Sequence, residues 1–168
     1  MPRVRRRAAA IGSALFFLLG PGLEAGVGPW LLTGFETRAV WPDVLRLLGV
    51  ALAVAGLAVL VQAFVRFVVE GIGTPAPVAP PGRLVVGGVY RHVRNPMYVA
   101  TAAVIVGEAL VLGQPVLFLA AAVYCGALAL LVRLREEPVM AKRFGAPYDA
   151  YRQGVPAWVP RLRPWRAG

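Results

Sequence analysis

The usual reagents of polar catalysis are scarce in this chain of 168 residues, which has one cysteine, one histidine and only 8 Asp+Glu. Cys125 stands inside an apolar run, so neither a disulfide nor a zinc cluster is available. His92 and Cys125 are far apart and at different depths, and the two cannot build a metal-ligand set. No nucleophile elbow, Walker loop or dinucleotide fingerprint occurs. "GIGT" (71–74) is a truncated glycine pattern whose only merit is to let backbone N–H groups approach a ligand closely. His92 is left with two roles, a lone general base or a plain polar residue at an interface.

Apolar surface, by contrast, is abundant. The chain is 58% hydrophobic with a mean hydropathy of +0.67, values that belong to an integral membrane protein. Its 18 Lys+Arg give a net charge of +10, a balance that elsewhere suggests nucleic acid. Here nearly all the charges flank apolar segments instead of forming a polar domain, which excludes that partner. Arg greatly outnumbers Lys, and Ala, Val and Gly are frequent, a composition that suggests a GC-rich bacterial genome.

Four apolar runs organise the chain. The first, 8–32, follows "RVRRR"; an Arg-rich start with a short apolar core also fits a signal peptide. Apolar character resumes past Gly20-Pro21-Gly22 and ends near Trp30, which favours a membrane helix kinked near Pro21. The second, 44–69, would extend about 39 Å as a helix, more than a bilayer core of about 30 Å, so it tilts or protrudes. Gly49 and Gly56 share one face and offer a seam for a neighbouring helix. Gln62, Arg66 and Glu70 form a polar stripe on its last turns, either snorkelling at the membrane edge or walling a ligand pocket. The third run, 97–113, and the fourth, 115–135, are separated only by Gln114, which makes them an antiparallel hairpin.

Between the second and third runs lies a Pro- and Gly-rich loop, 70–97, longer than a mere linker needs to be. After the hairpin, Met140, Phe144, Tyr148 and Tyr151 recur at helical spacing, predicting an amphipathic helix broken at Gly145 and Pro147 that lies on the membrane surface. The expectation is therefore an all-α integral membrane protein with about four transmembrane helices, the third and fourth a tight hairpin. Residues 1–69 hold the two N-terminal helices; 70–168 comprise the loop (70–97), the hairpin (98–135) and the C-terminal segment (136–168). Arg3, Arg5, Arg6, Arg7, Arg83, Arg91, Arg94, Lys142, Arg143, Arg152, Arg161, Arg163 and Arg166 fall on one side, against Arg38 and Arg46 on the other. That asymmetry puts both termini in the cytoplasm, in a bacterial inner membrane.

Glu136 and Glu137 are then read as lying at the cytoplasmic end of the fourth helix, where negative charge opposes the helix dipole. Arg133 is spaced to face either of them; the alternative is that one carboxylate meets a ligand amine or ribose hydroxyls. Glu108, inside the third helix, suggests function by its depth, or a structural pair with Arg38 or Arg46.

The run "RLVVGGVYRHVRNPMY", the hairpin, and then "REEPVMAKRFGAPYDAYRQGVPAWVP" resemble the C-terminal half of the isoprenylcysteine carboxyl methyltransferase family, which is related to phospholipid N-methyltransferases. That family carries "G-x-Y-x-x-x-R-H-P-x-Y", two membrane helices, a Glu-Glu step and "F-G-x-x-Y-x-x-Y-x-x-x-V-P"; the resemblance covers residues 82–160. It implies an S-adenosylmethionine-dependent methyltransferase embedded in the membrane, its cofactor pocket closed by the loop and the C-terminal segment. The acceptor it implies is a lipophilic small molecule or membrane lipid. By the same resemblance Leu84 and Val85 line the cofactor, Tyr90 and Tyr98 flank it, and Asn95, Pro96 and Met97 stand where members have His-Pro-x. Glu136 contacts the cofactor with Glu137 beside it, and Arg133 is the nearest candidate for a substrate-contacting arginine. Asn95 in place of His keeps a hydrogen bond but no charge, which Arg94 or Arg91 can supply.

In-line methyl transfer from a sulfonium needs mainly proximity and alignment, so the lack of a metal or triad is compatible with catalysis. A carboxylate or thiolate acceptor needs no protein base, whereas an amine must lose a proton, for which Glu136, Glu137 or His92 are candidates. Two other readings stand beside this one: a non-catalytic membrane protein of the same fold, and a nicotinamide-dependent reductase of the sterol reductase type. Methylation of prenylated cysteine itself is not expected in a bacterium.

Overall fold

The computed structural model describes residues 2–71 and 82–166, with side chains from residue 11 onward. Residues 72–81 of the 70–97 loop expected from the sequence, with the greater part of "GIGT", lie outside the described residues. All regular structure among the described residues is helical. Helices α1 (Pro2–Leu19) and α2 (Gly28–Thr33) form one rod, joined through a π-helical turn at Leu23–Val27. The disturbance expected at Pro21 thus takes the form of a wide turn that begins two residues after it, Pro21 having no N–H to donate.

Helix α3 (Asp43–Arg66) ends in a second π turn, Phe67–Gly71. The hairpin is α4 (Pro96–Leu112) and α5 (Val116–Leu131); a third π turn, Val132–Glu136, carries α5 directly into α6 (Glu137–Phe144), and α7 (Ala146–Gly154) follows. Ile11–Thr33, Asp43–Glu70 and Val116–Phe144 are long and apolar enough to cross a membrane, and α4 is a shorter apolar helix of 17 residues. The chain is an all-α integral membrane protein.

Local chemistry explains the hairpin. Pro96 opens α4, where its missing N–H costs nothing, and Gly113 closes it at φ +66, a conformation that penalises any side chain. A Cβ at Gly113 would also collide with the Arg38 carbonyl. Gln114, only 4% exposed, donates from Nε2 to the Glu36 carbonyl at 2.8 Å, tying the turn to the α2–α3 connection.

The predicted glycine seam is the α3–α4 interface. A Cβ at Gly49 would lie 2.7 Å from the Gly107 carbonyl oxygen, and one at Gly56 2.8 Å from that of Ala100, so backbones touch where side chains would hold the helices apart. Gly107→Leu is accordingly expected to destabilise the detergent-solubilised protein by about 1–3 kcal/mol or more, read from its thermal melt. A melt unchanged by this variant would mean that α3 and α4 do not pack this closely.

One expectation about the C-terminal half is corrected. The fourth helix does not end near Arg135; it continues as a helix to Phe144 and breaks at Gly145, φ +58. Glu136 and Glu137 therefore lie inside a helical rod and not at a C-terminus. The Met140, Phe144, Tyr148, Tyr151 face exists as the spacing predicts, and it packs with Leu84, Val86 and Trp165. The tail folds back to meet that face. Arg94 N–H donates to Pro156, Asn95 N–H to Ala157, Arg161 N–H to His92 and Trp165 N–H to Arg91, all to carbonyl oxygens.

Candidate active site

The site lies where the start of α4, the α5–α6 π turn and the returning tail converge. Tyr98, in the first turn of α4, donates its hydroxyl to Glu136 Oε1 at 2.5 Å. On the other side of Tyr98, Trp158 of the tail stacks with ring centroids 6.4 Å apart and planes 26° from parallel. Glu136 owes its direction to the wide turn. A π turn holds one residue more than an α turn, which rotates whatever follows by about 100° relative to α-helical register. Each of the π turns in the described residues carries a glutamate: Glu24, Glu70 and Glu136.

Glu137, one position on, faces elsewhere. Its Oε1 is 2.7 Å from Arg94 Nη1 and its Oε2 3.8 Å from Arg152 Nη1, with the Arg94 and Glu137 side chains 13% and 19% exposed. The cation that compensates this carboxylate thus comes from the segment before α4, not from Arg133 as its spacing suggested. Arg133 is exposed on the rod and makes no ion pair among the described residues. The cause is again the π turn, which breaks the three- and four-residue spacing on which the pairing with Arg133 relied.

The remaining predicted residues divide by what they touch. Asn95 donates from Nδ2 to the Ala157 carbonyl at 3.1 Å, so its amide latches the tail. Arg91 Nε does the same to Trp165 O at 2.7 Å, and His92 Nδ1 lies 2.8 Å from Arg161 O, which makes that nitrogen the protonated one. Val85 and Tyr90 are buried with Ala63, against Phe67 and Met97. Pro96 is fully buried, and Leu84 packs on the Tyr148, Tyr151 and Val155 cluster. Tyr151 donates its hydroxyl to the Tyr90 carbonyl at 2.7 Å. Burial pushes the Tyr90 and Tyr151 hydroxyls above the usual phenol range, so both remain protonated and Tyr151 remains a donor.

The polar stripe at the end of α3 is also resolved. Arg66 pairs with Glu70 at 2.9 Å, and Glu70 Oε2 accepts the Gly87 N–H at 2.9 Å, while Gln62 is exposed. A side chain at position 87 would meet the Glu70 carboxylate where it now stands and would have to displace it. Arg66 and Glu70 therefore hold the loop that carries Val85 and Tyr90.

Glu108 has neither of the partners expected for it. Arg46 donates to the Arg38 carbonyl at 3.0 Å and lies 3.9 Å from Asp43, and Glu108 Oε2 is buried without a hydrogen bond, beside a cavity of ≈ 290 Å³. Sequence reading passes over Glu24, which accepts from the Tyr124 hydroxyl at 3.1 Å, although it too is an isolated carboxylate in an apolar run. Trp158 carried no local signal of its own beyond the tail motif, and Tyr148 was marked only by that motif and its helical spacing.

Two polar atoms on the segments that converge here have no protein partner among the described residues. Arg94 Nε is buried and unbonded, and the second oxygen of Glu136 is not engaged. A cationic donor and a carboxylate acceptor, with aromatic rings between the loop and the tail, make a set that fits a ligand carrying its own carboxylate and hydroxyls.

Comparison with known families finds a match to the model of phospholipid methyltransferase over residues 44–147. The matched stretch runs from α3 through Pro147 and contains Arg94, Tyr98, Glu136 and Glu137; nothing in it points to a reductase. No curated protein matches the chain significantly.

Proposed function

The chain belongs to the phospholipid methyltransferase family, and from that premise we propose that it is an S-adenosylmethionine-dependent methyltransferase acting on a lipid or other lipophilic acceptor drawn from the bilayer. The observation that carries the reading is the Tyr98–Glu136 bond under Trp158, with Glu136 keeping one carboxylate oxygen for a ligand. Glu136 would accept hydrogen bonds from the cofactor's hydroxyl or amino groups, and Arg94 Nε would face its carboxylate. When bound, S-adenosylmethionine supplies a methyl group on a sulfonium, poised for in-line displacement.

The chain's own residues then have separable tasks. Tyr98 fixes the Glu136 carboxylate by holding one of its oxygens, so the other points in one direction. Trp158 covers Tyr98 and excludes water from that face. Asn95, Arg91 and His92 clamp the tail that carries Trp158, a positional role distinct from the contact with the cofactor that resemblance implies for Asn95. Glu137 is committed to Arg94, and His92 to the tail, which leaves Glu136 the better placed base for an amine acceptor. With arginines gathered at this end, the site faces the cytoplasm of a bacterial cell, and both termini lie there.

The reading is tested by titrating S-adenosylhomocysteine and, separately, NADPH into the detergent-purified protein by calorimetry. Saturable binding of S-adenosylhomocysteine and none of NADPH is the expected result. Absence of the first, from protein with an intact melting transition, overturns it.

A further inference from the structure

The tail is pinned to the protein at two points and bulges between them. Trp158 stacks on Tyr98, and Trp165 packs edge-on against Tyr151 with ring centroids 5.5 Å apart. Arg161 turns inward, its guanidinium donating to the Gly154 carbonyl and its N–H to that of His92. Val159 and Leu162, on the stretch so pinned, are 76% and 97% exposed, more than any other large apolar side chain among the described residues. Neither belongs to a membrane-spanning helix, so their exposure is not that of a lipid-facing rod.

The depth of this bulge follows from the helix beside it. Backbone hydrogen bonds tie the tail to Arg91, His92, Arg94 and Asn95, the residues directly before α4. With 17 residues α4 is about 25 Å long, shorter than a hydrocarbon core of about 30 Å. Its far end is held by Arg38, whose N–H donates to the Leu112 carbonyl at 2.7 Å; an exposed arginine there keeps that end in the opposite headgroup layer. The first turn of α4, and the tail against it, therefore lie level with the boundary between acyl chains and headgroups. Trp158 and Trp165 are of the residue type that concentrates at this depth.

Charge decides what covers the bulge. From Val155 to Gly168 the chain carries Arg161, Arg163 and Arg166 and no acidic residue. Arg163 and Arg166 are exposed and form no ion pair among the described residues. We infer that the bulge is an anchor for anionic phospholipid: Val159 and Leu162 enter the acyl layer while Arg163 and Arg166 bind the lipid phosphates. Arginine suits that partner, since its planar fork matches a phosphate and its stem tolerates apolar surroundings. Trp158, which covers Tyr98, is next to Val159, so lipid that holds the bulge also holds the cover. The charge of the surrounding lipid thereby sets how firmly the tail is closed. The use of that closure rests on the methyltransferase reading; the anchor does not.

Two measurements on the full chain in vesicles test this, one set of vesicles of phosphatidylcholine and one of an equal mixture with phosphatidylglycerol. In the first measurement Leu162→Cys, made in a Cys125→Ala background, carries a fluorophore. Lipids brominated on their acyl chains should quench it and aqueous iodide should not; quenching by iodide alone overturns insertion. In the second, hydrogen exchange is followed by mass spectrometry on the peptides bearing the Arg161 and Trp165 amides. Exchange should slow about tenfold in the mixed vesicles, a few-fold for each exposed arginine. Arg163→Gln combined with Arg166→Gln should remove the difference, and Arg163→Lys combined with Arg166→Lys should keep most of it. Equal exchange in the two vesicles, or equal slowing by inorganic phosphate added to phosphatidylcholine vesicles, overturns the anionic lipid as partner. Slowing that follows protein density and not lipid charge points to a second copy and overturns it too. S-adenosylhomocysteine affinity is measured in both vesicles and should be higher in the mixture. If wild type binds none while exchange responds as expected, the enzymatic reading falls and the anchor stands; if it binds equally in both and exchange does not respond, the anchor alone falls.

Discussion

Glu136→Gln is expected to weaken S-adenosylhomocysteine binding by about tenfold to a hundredfold, the loss of roughly 1.5–3 kcal/mol that a charge-assisted hydrogen bond contributes. The substitution is nearly isosteric, and its amide oxygen still accepts from Tyr98, so the packing under Trp158 survives. What disappears is the negative charge on the oxygen left for a ligand. Tyr98→Phe should do less, because the carboxylate keeps its charge and loses only the group that aims it; about tenfold is the upper expectation. The ordering of the two variants therefore reports which of the pair touches the ligand. Transfer of tritium from methyl-labelled S-adenosylmethionine into the chloroform-extractable lipid of the membranes should fall with Glu136→Gln at least as far as binding does. Wild-type affinity in Glu136→Gln would remove Glu136 from the site, whatever the activity.

The parts of the fold that were legible from sequence are those governed by interactions near in the chain. Hydropathy marks the membrane rods because bilayer thickness sets their length, and Gly113, Gln114 and Pro115 define a turn by backbone chemistry alone. Gly49 and Gly56 give the α3–α4 seam because spacing fixes their common face. The π turns were not legible, since no residue type encodes an extra residue per turn, and they redirect Glu24, Glu70 and Glu136 away from the neighbours that α-helical spacing assigns. The pairing of Arg133 with Glu137 failed for that reason, and the pairing of Glu108 with Arg38 or Arg46 failed because Arg46 is engaged on the α2–α3 connection and Arg38 is exposed. The motif around Tyr98 and Glu136 was legible as a resemblance; that Asn95 holds the tail became visible only once the tail's path was known.

The Arg94–Glu137 pair provides the sharpest separation of stability from binding. Both side chains are largely buried, and Arg94→Ala leaves a carboxylate with only Arg152, 3.8 Å away and half-exposed, to offset its desolvation. Breaking a buried pair in this way costs about 3–5 kcal/mol, enough to unfold this end of a marginal protein. Arg94→Met combined with Glu137→Met should recover much of that loss in the thermal melt, because an apolar pair of similar volume carries no desolvation penalty. Arg94→Lys separates the second function: an ammonium can still meet Glu137, but it has no counterpart to Nε, the nitrogen that the protein leaves unbonded. Its melting temperature should stay near that of wild type while S-adenosylhomocysteine affinity falls about tenfold. If Arg94→Lys keeps full affinity, Arg94 serves the fold alone and the cofactor's carboxylate is held elsewhere. If the double methionine variant melts as early as Arg94→Ala, the pair's worth lies in its hydrogen-bond geometry and not in its charge.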